Sequence, residues 1–256
     1  MISSGEILQQ GSPGETPAGR LLPAKSVLVF APHADDEVLG CGGTIVRYLQ
    51  DGSKVSIVYL TDGRFGGIGN LDERRRVEAM AVGKQLVGCE QIFWDFADGA
   101  LESRHESVAQ RMALEMTRLM PDLVFTPWLL DRHPDHTATA RAAAAAAKRN
   151  RGTPLFAAYE SLTPIIANHF VDISGVIETK KELIELYESQ QQQYAIKTIA
   201  MALSHYRAIL SRRPGLAAVE CFHVTTCADF ITMTENLFPS HLSAAVRIEA
   251  GNDHKY

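Results

Sequence analysis

The chain has 256 residues, of which 46% are hydrophobic and 21% charged, and a net charge of -5 at neutral pH. With a mean hydropathy of -0.06 and a pI near 6.0, this is the composition of a soluble globular protein. It excludes a disordered or membrane-spanning chain and argues against nucleic acid or an acidic membrane surface as the main partner. Cys41, Cys89, Cys221 and Cys227 are widely spaced with no C-x-x-C pair, so reduced thiols are expected rather than a disulfide scaffold or a thiolate zinc site. Residues 1–20 lack the apolar core of a signal peptide, and no apolar run approaches ~18 residues. A cytoplasmic protein without stable membrane insertion is the expectation.

Residues 1–22 read as a flexible arm rich in Gly, Ser and Pro, and residues 23–256 as one α/β domain elaborated toward its C-terminus. Ser26 to Ala31 is an apolar, β-branched strand. It runs into the sequence Pro-His-Ala-Asp-Asp-Glu (32–37) and then a helix through Arg47 and Tyr48, ending near Asp51 and Gly52. A second buried strand covers Val55 to Leu60, followed by Thr61-Asp62-Gly63 and a Gly-rich loop. Helices are predicted over Leu71 to Leu86 and Glu106 to Met120, with strands over Gln91 to Phe96 and Asp122 to Thr126. After His133-Pro-Asp-His136 comes an Ala-rich helix, Ala138 to Ala147. Strands follow over Leu155 to Glu160 and Phe170 to Ile173, then one long helix from Val176 to Gln193 and a last strand from Ala217 to Thr225. Strands that are apolar throughout, alternating with helices, indicate a mostly parallel sheet covered on both faces, a Rossmann-like three-layer α/β/α architecture.

Two clusters of metal-type side chains stand out. His33, Asp35, Asp36 and Glu37 directly follow the first strand, and His133, Asp135 and His136 follow a later one. In open α/β sheets ligands bind beyond the carboxyl ends of strands where strand order reverses, so if these two strands are neighbours there, both clusters face one crevice. An isolated acidic triplet could equally cap the helix that follows it. Two His-and-Asp loops, each after a strand, point instead to a mixed N/O metal site with an open position.

The stretch Ala31 to Thr44 (APHADDEVLGCGGT) resembles the (A/P)H-x-D-D-E…G-x-GGT signature of the LmbE-like (PIG-L-like) N-acetylglucosaminyl deacetylases, and Asp131 to His136 (DRHPDH) resembles their H-x-x-H segment. Supporting matches are Leu60 to Gly63, Arg76-x-Glu78 with Gly88 beyond, and Lys181 through Tyr187 to Gln190, so the likeness runs from about residue 26 to 225. Ala34 departs from the Pro common in the family, at a position that holds no metal. The resemblance implies that His33, Asp36 and His136 bind zinc, with iron(II) as the alternative. It makes Asp35 the general base and His133 the group that stabilises the oxyanion or protonates the leaving amine. Asp135 would orient His133 and keep it charged, and Arg76 and Asp98 would contact substrate. The implied substrate is an N-acylated sugar or sugar-like amine, and the implied assembly a homo-oligomer. The chemistry is coherent: zinc on three protein ligands lowers the pKa of its bound water to roughly 7 and polarises an amide carbonyl, while an unligated carboxylate takes the water's proton.

The other candidates are weaker. Gly40, Gly42 and Gly43 fail the G-x-G-x-x-G pattern, because position 45 is Ile, and close packing is the better reading. Arg74 and Arg75 read as a solvated helix face, and His105, His169, His205, His223 and His241 as structural or surface groups. Glu160 and Glu220 either line the cleft or do not. The segment 193–215 reads as a specificity loop, a lid or an oligomer contact, with Arg64–Asn70 and Asp98–His105 as further specificity loops. Competing readings are a metal-dependent hydrolase of another amide or ester bond, and a non-catalytic metal- or sugar-binding protein. Retention of Asp35 and His133, neither needed to hold a metal, argues for catalysis.

Overall fold

Val27, Val29 and Ala31 alternate along the first strand with Leu28 and Phe30, and the two sets enter different cores. A strand buried on both faces needs a layer of helices on each side. The computed structural model describes residues 19–65, 71–161 and 163–239. Its elements in chain order are β1 (Ser26–Ala31), α1 (Asp36–Gln50), β2 (Lys54–Thr61), α2 (Leu71–Gln85), β3 (Glu90–Phe96), α3 (His105–Leu119), β4 (Leu123–Pro127), α4 (Pro134–Ala147), β5 (Leu155–Tyr159), β6 (His169–Asp172), α5 (Ile177–Glu185), α6 (Glu188–Tyr194), α7 (Ile196–Leu210), β7 (Val219–Thr225) and α8 (Cys227–Leu237). The strands form one sheet in the order β3-β2-β1-β4-β5-β7-β6. The first five are mutually parallel, and β7 runs antiparallel to both β5 and β6. This is the expected three-layer α/β/α fold. Helices α1, α2 and α5 cover one face and α3, α4 and α8 the other. Strand order reverses between β1 and β4, so the two metal-type clusters do emerge side by side.

Close packing explains the glycines of α1. A Cβ on Gly40 would lie 2.3 Å from the Tyr159 ring, and one on Gly43 would lie 2.8 Å from Ile173. The helix is also broken, with Cys41 at φ -143° and ψ 20°. Gly43 N–H and the Leu39 carbonyl would be partners in an unbroken helix; here each finds a buried ionic partner. Gly43 and Thr44 N–H donate to the two carboxylate oxygens of Glu220 at 2.9 and 2.7 Å, and Lys180 Nζ donates to Leu39 O at 2.9 Å. Lys180 and Glu220 close the circuit at 2.7 Å, each side chain 2% exposed.

Several expectations are corrected. The single helix expected over Val176 to Gln193 is two, α5 and α6, parted at Leu186 and Tyr187; Tyr187 leaves helical geometry (φ -86°, ψ 60°) and its phenol donates to buried Glu37. Glu78 of α2 then receives both Ser189 N–H and its hydroxyl at 2.9 and 2.6 Å. Most of the segment 193–215 is the helix α7 rather than a loop. The Ala-rich helix begins four residues earlier than expected, with Pro134 in its first turn. Of the arm expected over residues 1–22, residues 1–18 lie outside the described residues. Its end is anchored: Gly19 O accepts from Asp172 N–H and Arg47, and Leu22 O accepts from Tyr48. Neither Glu160 nor Glu220 lines the cleft, since Glu160 pairs with Arg207 of α7 and Glu220 with Lys180. Among the described residues no helix is long and apolar enough to cross a membrane.

Candidate active site

The end of β1 is tied to the end of β2 through Pro32, whose carbonyl accepts both Thr61 N–H (3.0 Å) and its hydroxyl (2.8 Å). The chain then turns sharply into α1, which begins at Asp36. Asp35 occupies the N-cap position but makes no side-chain cap bond, and its backbone sits at φ 133°, ψ -29°. The capping reading therefore fails for Asp35. Its carboxylate meets the Arg75 guanidinium at 3.1 Å. Asp36, one residue on, turns the other way. Its Oδ2 lies 3.2 Å from both His33 Nδ1 and His136 Nε2, and its Oδ1 accepts the Ser161 hydroxyl at 2.9 Å.

The outer nitrogens of these imidazoles face carboxylates. His33 Nε2 is 3.1 Å from Asp98 Oδ1 and 3.3 Å from Asp135 Oδ2, and His136 Nδ1 is 3.5 Å from Asp131 Oδ1. Carboxylates placed in this way fix the tautomer and raise the basicity of metal-binding histidines. His133 joins as the third ring, 4.7 Å from His33 and 4.8 Å from His136 between centroids. One nitrogen from each of His33, His133 and His136 lies within 4.8 Å of the other two. Asp35, Asp36, Asp98, Asp131 and Asp135 are all buried beside them, with Arg75 as a buried cation. Buried carboxylate needs compensating positive charge, and a donor set of two imidazoles and a carboxylate fits a divalent metal ion. His33, Asp36 and His136 could hold it, as could His33, His133 and His136 or His33, Asp98 and Asp135.

The electrostatics follow from this crowding. Burial pushes the Asp35 carboxyl up to about 6, partly opposed by Arg75. Burial would also raise Asp36, but His136 and His33 outweigh it and hold the group well below the carboxylate range. For His136, burial is outweighed by Asp36 and Asp131, which carry it up to about 9. His133 goes the other way: burial, then His33 and His136, lower it.

The structure brings His33, Asp35, Asp36, Asp98, His133, Asp135 and His136 together, with two changes of role. The Asp135 carboxylate does not orient His133. It reaches His33 and accepts Gly99 N–H at 2.7 Å and Leu101 N–H at 3.2 Å, while His133 Nδ1 accepts the Asp135 backbone N–H at 3.2 Å as the cap of α4. Asp135 still pulls the His133 pKa upward through its charge, but burial, His33 and His136 outweigh it. Arg76 stays outside the cluster, bonded to Asp95 at 3.0 Å and stacked on Phe93. Its neighbour Arg75, expected in solvent, is 4% exposed and donates to Ala34 O at 2.8 Å. Arg75 shares a helix face with Ala79, Val82 and Leu86, all buried, but the exposed Val77 and Met80 on another face blur that pattern in the sequence. Ser161 has no comparable signal. Of the remaining described histidines, His169, His205 and His223 each bond a backbone carbonyl and His105 opens α3 with its Nδ1 unbonded; His241 lies outside the described residues. A cleft of about 340 Å³ opens next to the cluster, where Ala34 and Arg75 meet Tyr59, Phe93, Trp94 and Arg76; the side chains of His33, Asp35, Asp36, His133 and His136 are not in its walls.

The chain is similar to known deacetylases in sequence and in fold. The family described as PIG-L, GlcNAc-PI de-N-acetylase, matches residues 28–147, a span that contains both clusters. Diacetylchitobiose deacetylase of Thermococcus kodakarensis is 30% identical over 189 residues, covering 65% of this chain and 70% of that protein. The N,N'-diacetylchitobiose deacetylase structure from Pyrococcus horikoshii superposes with a TM-score of 0.69 at 24% identity, over 80% of this chain and 85% of that one. A 4-carboxy-2-hydroxymuconate hydratase from Pseudomonas putida reaches the same TM-score, 0.69, at 22% identity, over 78% of this chain and 96% of that one, so the fold alone does not specify a reaction. Sequence similarity of this extent, across the segments that build the site, shows that the chain belongs to the PIG-L (LmbE-like) family of deacetylases, hydrolases of amide C–N bonds.

Proposed function

We propose that the protein is a zinc-dependent N-deacetylase acting on an N-acetylglucosamine-type sugar or a sugar-like amine. The observation that carries this reading is the divergence of two adjacent carboxylates. Asp36 is shared by two imidazoles, as a metal ligand would be, whereas Asp35 is held by Arg75 and ligates nothing. A divalent ion on His33, Asp36 and His136 supplies Lewis acidity, polarising an acyl carbonyl and acidifying water to a pKa of roughly 7.

The chain's own groups do the rest. With Oδ1 on Arg75, Asp35 has Oδ2 to take a proton from the attacking water, and its raised pKa suits a general base working near neutrality. His133 uses Nδ1 as an acceptor for the start of α4, so its neutral ring carries the proton on Nε2. That N–H donates to the oxyanion formed when water adds to the carbonyl carbon. The C–N bond then breaks, and the proton held by Asp35 passes to the leaving nitrogen, giving acetate and a free amine. Asp135 and Asp98 set the His33 ring, and Asp131 sets His136. Arg76, in the wall of the cleft, is the substrate contact we retain. The aromatic and charged side chains of that cleft suit the flat faces and hydroxyls of a sugar, and the likeness to the Thermococcus diacetylchitobiose deacetylase supports a chitobiose-type substrate. The four cysteines are unpaired, which supports a cytoplasmic setting.

Acetate release from N-acetylglucosamine and N,N'-diacetylchitobiose tests the proposal, using native protein, metal-stripped protein with zinc or iron(II) restored, and Asp35→Asn. Metal-dependent release that collapses in Asp35→Asn, with one metal still bound, is the expected result. Native release from stripped protein, or full activity in Asp35→Asn, overturns it.

A further inference from the structure

Glu37 is fully buried, contacts neither metal-type nitrogen, and has no part in the chemistry above. Its Oε2 accepts the backbone N–H of Asp35 at 3.0 Å. Its Oε1 accepts two phenols, Tyr59 at 3.2 Å and Tyr187 at 2.5 Å. Tyr59 is held in turn by Gln91 of β3, at 3.1 Å. The opposite end of the same peptide unit, the Ala34 carbonyl, is bonded to Arg75 at 2.8 Å. One peptide bond, Ala34–Asp35, is therefore clamped at both its oxygen and its nitrogen, by the buried side chains of Arg75 and Glu37.

The clamp sits where the backbone is least comfortable. Asp35 lies at φ 133°, a region that L-residues other than glycine avoid, and such conformations persist only when the surroundings over-determine them. A residue that merely capped α1 would need neither this conformation nor a buried carboxylate, since water satisfies exposed helix ends. With its backbone so turned, the Asp35 side chain leaves the helix terminus and meets Arg75. We propose that Glu37, clamped by Tyr59 and Tyr187, is a positioning residue that holds the Asp35 backbone in its strained conformation and so aims the Asp35 carboxylate at the reacting water. This rests on Asp35 being the general base.

The test compares Glu37→Leu, Glu37→Gln and Tyr187→Phe, each in the native and the Asp35→Asn background, with zinc-loaded protein and N,N'-diacetylchitobiose as substrate. Glu37→Leu is expected to lower kcat about 100-fold, the scale of a displaced catalytic group, while KM stays within about threefold. Zinc stoichiometry and affinity are expected to be unchanged. Glu37→Gln, whose carbonyl still accepts the Asp35 N–H, is expected to recover at least roughly tenfold of that loss. In the Asp35→Asn background the same substitutions should cost no more than about twofold, because a residue acting through Asp35 is silent once Asp35 is gone. General structural damage would cost the same factor in both backgrounds, and that result overturns the proposal; so does a Glu37→Leu kcat within about threefold of native. Should Glu37→Leu not fold, Tyr187→Phe, which removes one donor and keeps the ring, carries the same comparison with an expected loss of roughly three- to tenfold in the native background alone. If Asp35→Asn itself retains native kcat, the base assignment fails, separately from the role of Glu37.

Discussion

Replacing Lys180 by Met separates an ion pair that has almost no access to water. The ammonium donates to Glu220 at 2.7 Å and to Leu39 O at 2.9 Å, and the two side chains are each 2% exposed. Met fills the volume of the stem but leaves Glu220 charged, with only the Gly43 and Thr44 N–H groups, and leaves the Leu39 carbonyl unpaired at the break in α1. Breaking a buried pair from one side costs about 3–5 kcal/mol. For a chain of this size each kcal/mol is worth roughly 2–4 °C, so a fall of about 6–20 °C in melting temperature is expected. Lys180→Met/Glu220→Gln should lose less than the two single changes together, by at least about 1 kcal/mol, because the amide oxygen still accepts a backbone N–H without a stranded charge. Urea unfolding of the metal-loaded proteins at two salt concentrations measures this, and the loss should be insensitive to salt, unlike that of a surface pair. A Lys180→Met cost below about 1 kcal/mol would show that water or rearrangement satisfies Glu220, and the account of the α1 break would be wrong.

Ser161→Ala removes the hydroxyl that donates to Asp36 Oδ1 at 2.9 Å; metal affinity, read by chelator competition, should fall by about 10–100-fold with the fold intact. Gly40→Ala puts a Cβ 2.3 Å from the Tyr159 ring, and chemical denaturation should show a loss of about 1–3 kcal/mol from overpacking. Gly52→Ala, with nothing within 4 Å but a φ of 80°, should cost only the roughly 1–2 kcal/mol of its left-handed backbone. Arg75 lowers the Asp35 pKa, and the base must be deprotonated to act. Activity is therefore lost as pH falls through that pKa, and Arg75→Met should shift the acid limb of kcat/KM to higher pH. A limb that stays in place or moves down would exclude Asp35 as the titrating group.

The layers and the individual strands were legible because they rest on local signals, apolar runs for strands and helical periodicity between them, that survive folding unchanged; the strand order was not. What was not legible came from partners far away in the chain. The break in α1 exists because Lys180 and Glu220 reach it from 141 and 177 residues on, and α5 parts from α6 at a Tyr187 drawn to a carboxylate 150 residues earlier. Neither partner leaves a mark on the local pattern of the element it interrupts. Arg75 is the opposite case. Here the obstacle was local: Ala79, Val82 and Leu86 mark one face of α2 while the exposed Val77 and Met80 mark another, so periodicity did not choose between them and charge pointed to solvent.

Direction was the harder problem at the site. His133 and Asp135 are close in sequence, and the family resemblance implied that one serves the other. But His133 is the cap of α4 and Asp135 already lies in its first turn, where successive side chains diverge by roughly 100°; Asp135 accordingly leaves toward Gly99 and His33. The same geometry divides the three consecutive acids of the first cluster. Asp36 and Glu37 are separated by helix rotation, and Asp35 is set apart from both by a backbone at φ 133°. One acid faces the imidazoles, one faces Arg75, and one lies buried beneath the other two, holding the peptide that makes the division possible. Three adjacent carboxylates with three different jobs require one strained residue between strand and helix. The contacts that sustain it therefore belong to the chemistry of the site as much as the groups that touch substrate.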